Sequence, residues 1–258
     1  MIYFFLMLLP ALSFASAWVR EKGELFISPS FNYYSAKDYY DKSGNKKPIG
    51  CTFEKREFQV YGEYGINSST TLTFKLPYDQ LKCGNNKTSG FSDLELGFIN
   101  SISRGKNYSL SYYANAIIPT GYSINDNPRL GYGRLGLEGG LLLGLSGKAG
   151  FLDSGIGYRY YFGYPSSQIR SYITGGINIY KNLQFLTILD LQLGLGDGKR
   201  KAVGQNIFLE PDYKLAQVYA GPRLMFGNLS FVATYQHVFW GRNTGVGRGF
   251  NLGLWLNF

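Results

Sequence analysis

Histidine occurs once, as His237 in Tyr235-Gln236-His237-Val238-Phe239. An imidazole becomes catalytic when it can take a proton from a nearby hydroxyl or thiol. On an extended strand the next side chain on the same face lies two residues on. Here that position is Phe239, so this strand delivers no serine to the ring. A metal centre needs more His, Cys or clustered carboxylates than the chain offers. Gly247-Arg248-Gly249 is not followed by a helix start, so it does not read as a phosphate loop. No catalytic residue, metal ligand, cofactor-binding set or nucleic-acid motif emerges, and an enzyme is not expected.

The two cysteines are more informative. A hairpin turning about Asn67-Ser68 sets Cys51 and Cys83 opposite each other, on the same strand face. An exported chain meets an oxidising compartment, where a disulfide is permitted. A Cys51–Cys83 bridge is therefore predicted.

The remaining chemistry lies in charged and aromatic side chains that recur at alternate positions. Glu57, Glu63, Lys75, Asp93, Glu95, Arg134, Glu138, Asp153, Arg159, Arg170, Asp190 and Arg223 fall on strand faces otherwise rich in Gly and Asn. Tyr61, Tyr113, Tyr172, Tyr219 and Trp255 share that parity. The opposite faces are apolar: Leu135, Leu137, Leu141, Leu143 and Leu145 in one segment, and Leu183, Phe185, Leu189, Leu191, Leu193 and Leu195 in another. A charge at mid-depth on a lipid-facing surface costs about 2–4 kcal/mol, and these two apolar faces carry none. Nearly balanced acids and bases suit a wet interior where they pair across strands. The pattern predicts a polar lumen inside an apolar exterior, with Glu138–Arg159 and Arg170–Asp190 as neighbours. His237 falls on the apolar side, near the membrane interface.

Strands carry these residues. Five short turns, at Asn67-Ser68, Arg104-Gly105-Lys106, Ser146-Gly147-Lys148, Lys181-Asn182 and Gly227-Asn228, alternate with longer loops. Those loops lie near residues 37–52, 82–91, 119–131, 163–167, 196–212 and 241–247. This layout implies about twelve antiparallel strands in one all-β transmembrane barrel. The chain ends on an alternating strand, Phe250 to Phe258, that resembles the terminal strand of bacterial outer-membrane barrels. Pro29 and Pro222 fall within strands, where a local bulge or irregularity is expected. Composition agrees: 34 Gly, 22 Tyr and 19 Phe among 258 residues suit tight turns and aromatic girdles. The net charge of +9 concentrates in apparent loops, such as Lys37, Lys42, Lys46, Lys47 and Lys199-Arg200-Lys201. At the start, an apolar run from Ile2 to Leu9 precedes Ala15-Ser16-Ala17. That reads as a secretory leader, residues 1–17, cut before a mature domain of residues 18–258. No stretch of 18 apolar residues follows, which excludes a helical membrane protein.

The first quarter carries a further signal. Lys22-Gly23-Glu24-Leu25, Tyr33-Tyr34-Ser35-Ala36, Tyr61-Gly62-Glu63-Tyr64-Gly65-Ile66, Thr70-Thr71-Leu72-Thr73 and Leu76-Pro77-Tyr78 resemble the outer-membrane family assigned to meta-pathway phenol degradation, including its XagA-like members. The resemblance implies an exported barrel tied to uptake of small, often hydrophobic molecules or to surface-polysaccharide phenotypes. It supplies no catalytic residue.

The expected function is a passive conduit or binding barrel for a small solute, set among outer-membrane lipids. Lumen tyrosines would give apolar contact and hydroxyl hydrogen bonds, and lumen charges would set ion preference. The alternative is a non-conducting surface protein acting in adhesion or exopolysaccharide display.

Overall fold

The computed structural model describes residues 16–198 and 212–258. The basic run Lys199-Arg200-Lys201 and most of the leader lie outside them. Thirteen strands occur among the described residues. They are β1 (Leu25–Tyr40), β2 (Lys46–Asn67), β3 (Thr70–Cys83), β4 (Asn86–Phe91), β5 (Leu94–Arg104), β6 (Tyr108–Ile118) and β7 (Gly136–Gly147). Then follow β8 (Gly150–Tyr161), β9 (Gln168–Tyr180), β10 (Leu183–Gly194), β11 (Lys214–Phe226), β12 (Leu229–Arg242) and β13 (Thr244–Asn257).

All pairings are antiparallel, and β1 pairs with β13, which closes the sheet. The barrel has twelve positions because β4 and β5 share one. β3 pairs with β4 through Tyr78 to Cys83 and with β5 through Thr70 to Lys75. Leu25 and Phe258 exchange backbone hydrogen bonds of 3.1 and 2.8 Å, so the barrel starts and ends at the short-turn rim. Among the described strands, closure gives every strand a partner on both sides except β4, which pairs with β3 alone. No described helix is long and apolar enough to cross a membrane, which says nothing of strands.

The outward face is apolar along the wall. Leu137, Leu141 and Leu143 of β7 are 49, 51 and 39 % exposed, while Leu142 between them is 1 % exposed. In β10, Gln184, Asp190 and Gln192 are buried inside and Phe185 and Leu189 lie outside. Period-two alternation thus sets the barrel's sidedness.

Several sequence expectations are corrected at the long-loop rim. The segments expected as loops at 37–52, 82–91 and 241–247 are largely strand. β1 and β2 pair up to Tyr40–Lys46, β4 folds back on β3, and Asn243 alone separates β12 from β13. Here strand pairing continues past the apolar band, and hydropathy alternation fades when both faces are polar. The first short turn also shifts. Asn67 pairs with Thr70, so Ser68 and Ser69 turn the chain instead of Asn67 and Ser68.

Pro29 and Pro222 give the expected local irregularity, as a gap in one ladder and not as a bulge. The β1–β13 ladder skips from Ile27–Leu256 to Ser30–Gly253, and β11–β12 from Ala220–Tyr235 to Arg223–Val232, with register kept. A missing N–H opens the ladder on one side only. Both residues stay paired on the other side, Pro29 to Val60 and Pro222 to Phe185.

The Cys51–Cys83 disulfide is present, with Cα atoms 5.5 Å apart. Its route differs from the expected one. Cys83 stands opposite Phe53, not Cys51. Residues between Pro48 and Phe53 bulge from the β1–β2 ladder, with Gly50 at φ 89°, and this bulge carries Cys51 to Cys83. Glycine tolerates that left-handed conformation without a Cβ clash.

Candidate functional site: the barrel lumen

Inward-facing positions of β3, β5, β7, β8 and β9 build a chain of ion pairs across one wall. Lys75 Nζ lies 3.0 Å from Glu95 Oε1, and Arg159 Nη2 lies 3.3 Å from the same oxygen. Arg159 Nε donates to Glu138, its direct register partner. Arg170 Nη1 reaches Glu138 at 3.9 Å, and Tyr113 Oη donates to Glu138 Oε1 at 2.8 Å. Asp190 stands opposite Tyr172, diagonal to Arg170, and accepts from Gln192 and Gln217 at 3.0 and 2.7 Å. Cross-strand neighbours on one face sit close enough for long side chains to pair this way.

The other predicted lumen residues also turn inward, with two exceptions. Glu57 pairs with Lys55 at 2.6 Å, and Lys55 also reaches Asp79 at 3.2 Å. Arg223 is held by neutral groups: Gln184 and Ser230 accept from it, and its guanidinium lies 4.3 Å from the Trp255 ring centroid. Arg134 is a correction. It precedes the first residue of β7 by two positions and belongs to the loop before that strand. Asp93 likewise sits in the break between β4 and β5, where Tyr122 of the long loop donates to it. Lys55 and Asp79 were missed, although the parity of Glu57 extends to both through the register.

The largest omission is at the short-turn rim. Residues 16–20 enter the lumen ahead of β1. Ala17, Val19 and Arg20 are buried, although Ser16 and Ala17 had been assigned to the leader. Arg20 Nε lies 2.6 Å from Glu63, which has no exposed surface. Its backbone N–H donates to Thr71 Oγ1 at 2.7 Å, and Nη1 donates to Asn257 at 3.1 Å. Ala17 N–H and Ser16 Oγ donate to Asp153 Oδ2, and the Ala17 carbonyl accepts from Ser109 and Ser111 at 2.7 Å each. Trp18 lies over Gly144, where a Cβ would collide with the indole. Ala17, Val19, Ile99, Tyr113 and Leu142 form an apolar cluster against Trp18 and Tyr172. A second cluster of Phe26, Tyr61, Leu186, Val232 and Trp255 fills the adjoining space.

This filling divides the lumen. Between the tyrosines and the ion-pair chain a small cavity of about 90 Å³ remains. Toward the long-loop rim the space widens to about 470 Å³, lined by Tyr34, Gln59, Gln217, Tyr219, Gln236 and Trp255 among others. Its walls mix aromatic rings and amide groups with the charged side chains of Lys55, Glu57, Lys75, Arg170 and Asp190. His237 points outward, opposite Arg248 on β13. Among the described residues no group of three His, Cys, Asp or Glu side chains is placed to hold a metal.

No protein-family model matches the chain, and a search of curated proteins returns no match. Solved structures do match in fold. The COG4313 outer membrane channel from Pseudomonas putida F1 superimposes with a TM-score of 0.80 at 14 % identity, over 96 % of this chain and 100 % of that one. The NanC porin aligns with a TM-score of 0.57 at 10 % identity, over 89 % of this chain and 98 % of that one. The translocator domain of autotransporter NalP from Neisseria meningitidis gives 0.51 at 14 %, over 93 % and 90 %. These likenesses extend to outer-membrane barrels in general and not to the meta-pathway family in particular: the chain has the fold of outer-membrane channels and porins.

Proposed function

We propose that this chain is a bacterial outer-membrane barrel that admits a small, partly hydrophobic solute from its long-loop side, with the short-turn end closed by residues 16–20. The observation that supports this reading best is the cavity of about 470 Å³, lined by aromatic, amide and charged side chains, standing above a lower lumen narrowed to about 90 Å³. Its tyrosine and tryptophan rings give apolar contact, while Gln217 and Gln236 offer hydrogen bonds to a polar substituent. Solute movement would follow the concentration gradient. The outward leucine and phenylalanine surface would lie against outer-membrane lipid.

The test is single-channel recording in planar bilayers. The full chain is expected to pass a small current, because the lower lumen is filled. Phenol-like solutes added on the long-loop side should reduce it by occupying the cavity. A large, solute-insensitive conductance would overturn the binding-barrel reading. A surface role is the second reading, favoured by the β1–β2 and β3–β4 hairpins, which the Cys51–Cys83 disulfide braces. Loss of surface adhesion with unchanged solute uptake on trimming residues 41–45 would support it.

A further inference from the structure

Asp153 of β8 is 5 % exposed near the short-turn rim. Its Oδ2 accepts from Ser16 Oγ at 3.2 Å and from the Ala17 N–H at 3.1 Å, and its Oδ1 accepts from Tyr172 Oη at 2.7 Å. All three donors are neutral. Other lumen carboxylates are treated differently: Glu63 holds Arg20, Glu95 holds Lys75 and Arg159, and Glu138 holds Arg159. Asp190 makes no ion pair among the described residues but has Arg170 as its diagonal neighbour. Among the described residues, Asp153 has no cationic side chain within ion-pair distance. A buried carboxylate without a counter-ion is costly.

The chain can supply that cation from its own backbone. Two cut points carry small residues at the third and first positions before the scissile bond, Ser13-Phe14-Ala15 and Ala15-Ser16-Ala17. Cutting after Ala17 would discard both donors to Asp153 Oδ2. It would also discard the carbonyl that accepts from Ser109 and Ser111, which are 1 % and 0 % exposed. Cutting after Ala15 keeps every one of these bonds. Water then adds across the Ala15–Ser16 amide, leaving a carboxylate on Ala15 and an amine on Ser16 that is protonated at neutral pH. That nitrogen is three covalent bonds from the Oγ that already touches Asp153.

We propose that a leader peptidase cuts the chain between Ala15 and Ser16, and that the new α-ammonium is the counter-ion of Asp153, locking residues 16–20 into the lumen. The proposal rests on the exported-barrel reading above but not on conduction. Removal of the leader would then complete the plug, because the docking charge does not exist before the cut.

Two measurements test it. The wild-type chain is purified from outer membranes and its amino-terminal peptide weighed. It should begin at Ser16; a chain beginning at Trp18 overturns the proposal. Folded protein is then treated with a water-soluble amine-acylating reagent and mapped by peptide mass. The Ser16 amine should react about tenfold more slowly than in Asp153→Asn, because a neighbouring carboxylate favours the unreactive ammonium. Exposed Lys22 should react equally in both. Equal Ser16 rates would overturn the counter-ion assignment. Only protein in the folded, heat-modifiable gel band is compared, and the mass measurement decides even if Asp153→Asn does not insert. A barrel that passes no current would leave both readouts intact, so failure of the channel reading remains distinguishable.

Discussion

Arg159 and Glu138 face each other in register across β7 and β8, and Arg159 extends a second nitrogen to Glu95. One guanidinium thereby holds two carboxylates taken from β5 and β7. Arg159 and Glu138 side chains are each only 8 % exposed, so the pair is shielded from screening. Removing one partner of such a pair leaves an uncompensated charge, at a cost of about 3–5 kcal/mol. Arg159→Ala should destabilise the barrel by about that much, read as a lower urea midpoint in lipid vesicles. Glu138→Gln should cost less, because Glu95 still compensates Arg159. It should also shift the reversal potential toward anion preference. An unchanged midpoint for Arg159→Ala would mean that the lumen is wet enough to solvate both acids.

The disulfide yields a local prediction. It ties a bulge in β2 to the end of β3, above a wall already closed by strand pairing. Cys51→Ser should therefore fold and insert. A cross-link contributes typically about 2–4 kcal/mol through the unfolded chain, and that loss should appear in the hairpin more than in the barrel. Proteolysis near Lys46-Lys47 should accelerate while heat-modifiable mobility stays unchanged. Complete loss of the folded band would show that the bridge is required for barrel assembly.

A pH effect is expected at the tip of the same hairpin. The Asn45 backbone N–H, followed by the Lys47 ammonium, holds the Asp41 carboxyl below its usual range. A carboxyl depressed on folding stabilises above its unfolded value, and that contribution is lost as pH falls through the folded value. The 41–45 turn should thus keep its order at neutral pH and loosen on acidification below about pH 4. Backbone amide exchange at Ser43 and Asn45, whose N–H groups donate to Asp41 Oδ1 at 2.8 and 2.9 Å, would report it. Asp41→Asn should abolish the pH dependence.

The sequence reveals the wall better than the contents. Leucines at alternate positions in β7 and β10 specify both strand and face, because an apolar exterior around a polar lumen forces strict period-two patterning. The same physics hides the hairpin tips. Between Lys37 and Thr52 both faces are polar, so the strands resemble a loop although their backbone hydrogen bonds continue. The lumen residues of β2 were only half legible. Glu57 and Glu63 were identified and Lys55 was not, yet all three share one parity. The plug was hidden for a different reason. Ala15-Ser16-Ala17 fits a peptidase site so well that Ser16 and Ala17 read as discarded leader, and no periodicity marks the short segment 16–20. Arg20 was the available signal: a cation two residues after Trp18, with Glu63 as a lumen acid lacking an assigned partner.

That pair also anchors residues 16–20 inside the lumen. Arg20 and Glu63 are buried together at 2.6 Å, and Tyr61 Oη donates to the other Glu63 oxygen at 2.9 Å. Arg20→Ala removes a cation from beside a fully buried carboxylate and should cost about 3–5 kcal/mol in urea unfolding. It should also loosen residues 16–20 at the short-turn rim and raise the bilayer conductance. Adding Glu63→Gln removes the stranded charge, so the double variant should recover much of the stability. It should not recover closure, because nothing then ties residue 20 to the wall except its backbone bond to Thr71. Stability and conductance thus separate: the single and double variants should differ in urea midpoint but share a raised current. A double variant as closed as the wild type would show that the apolar cluster around Trp18, not the ion pair, holds the segment in the lumen.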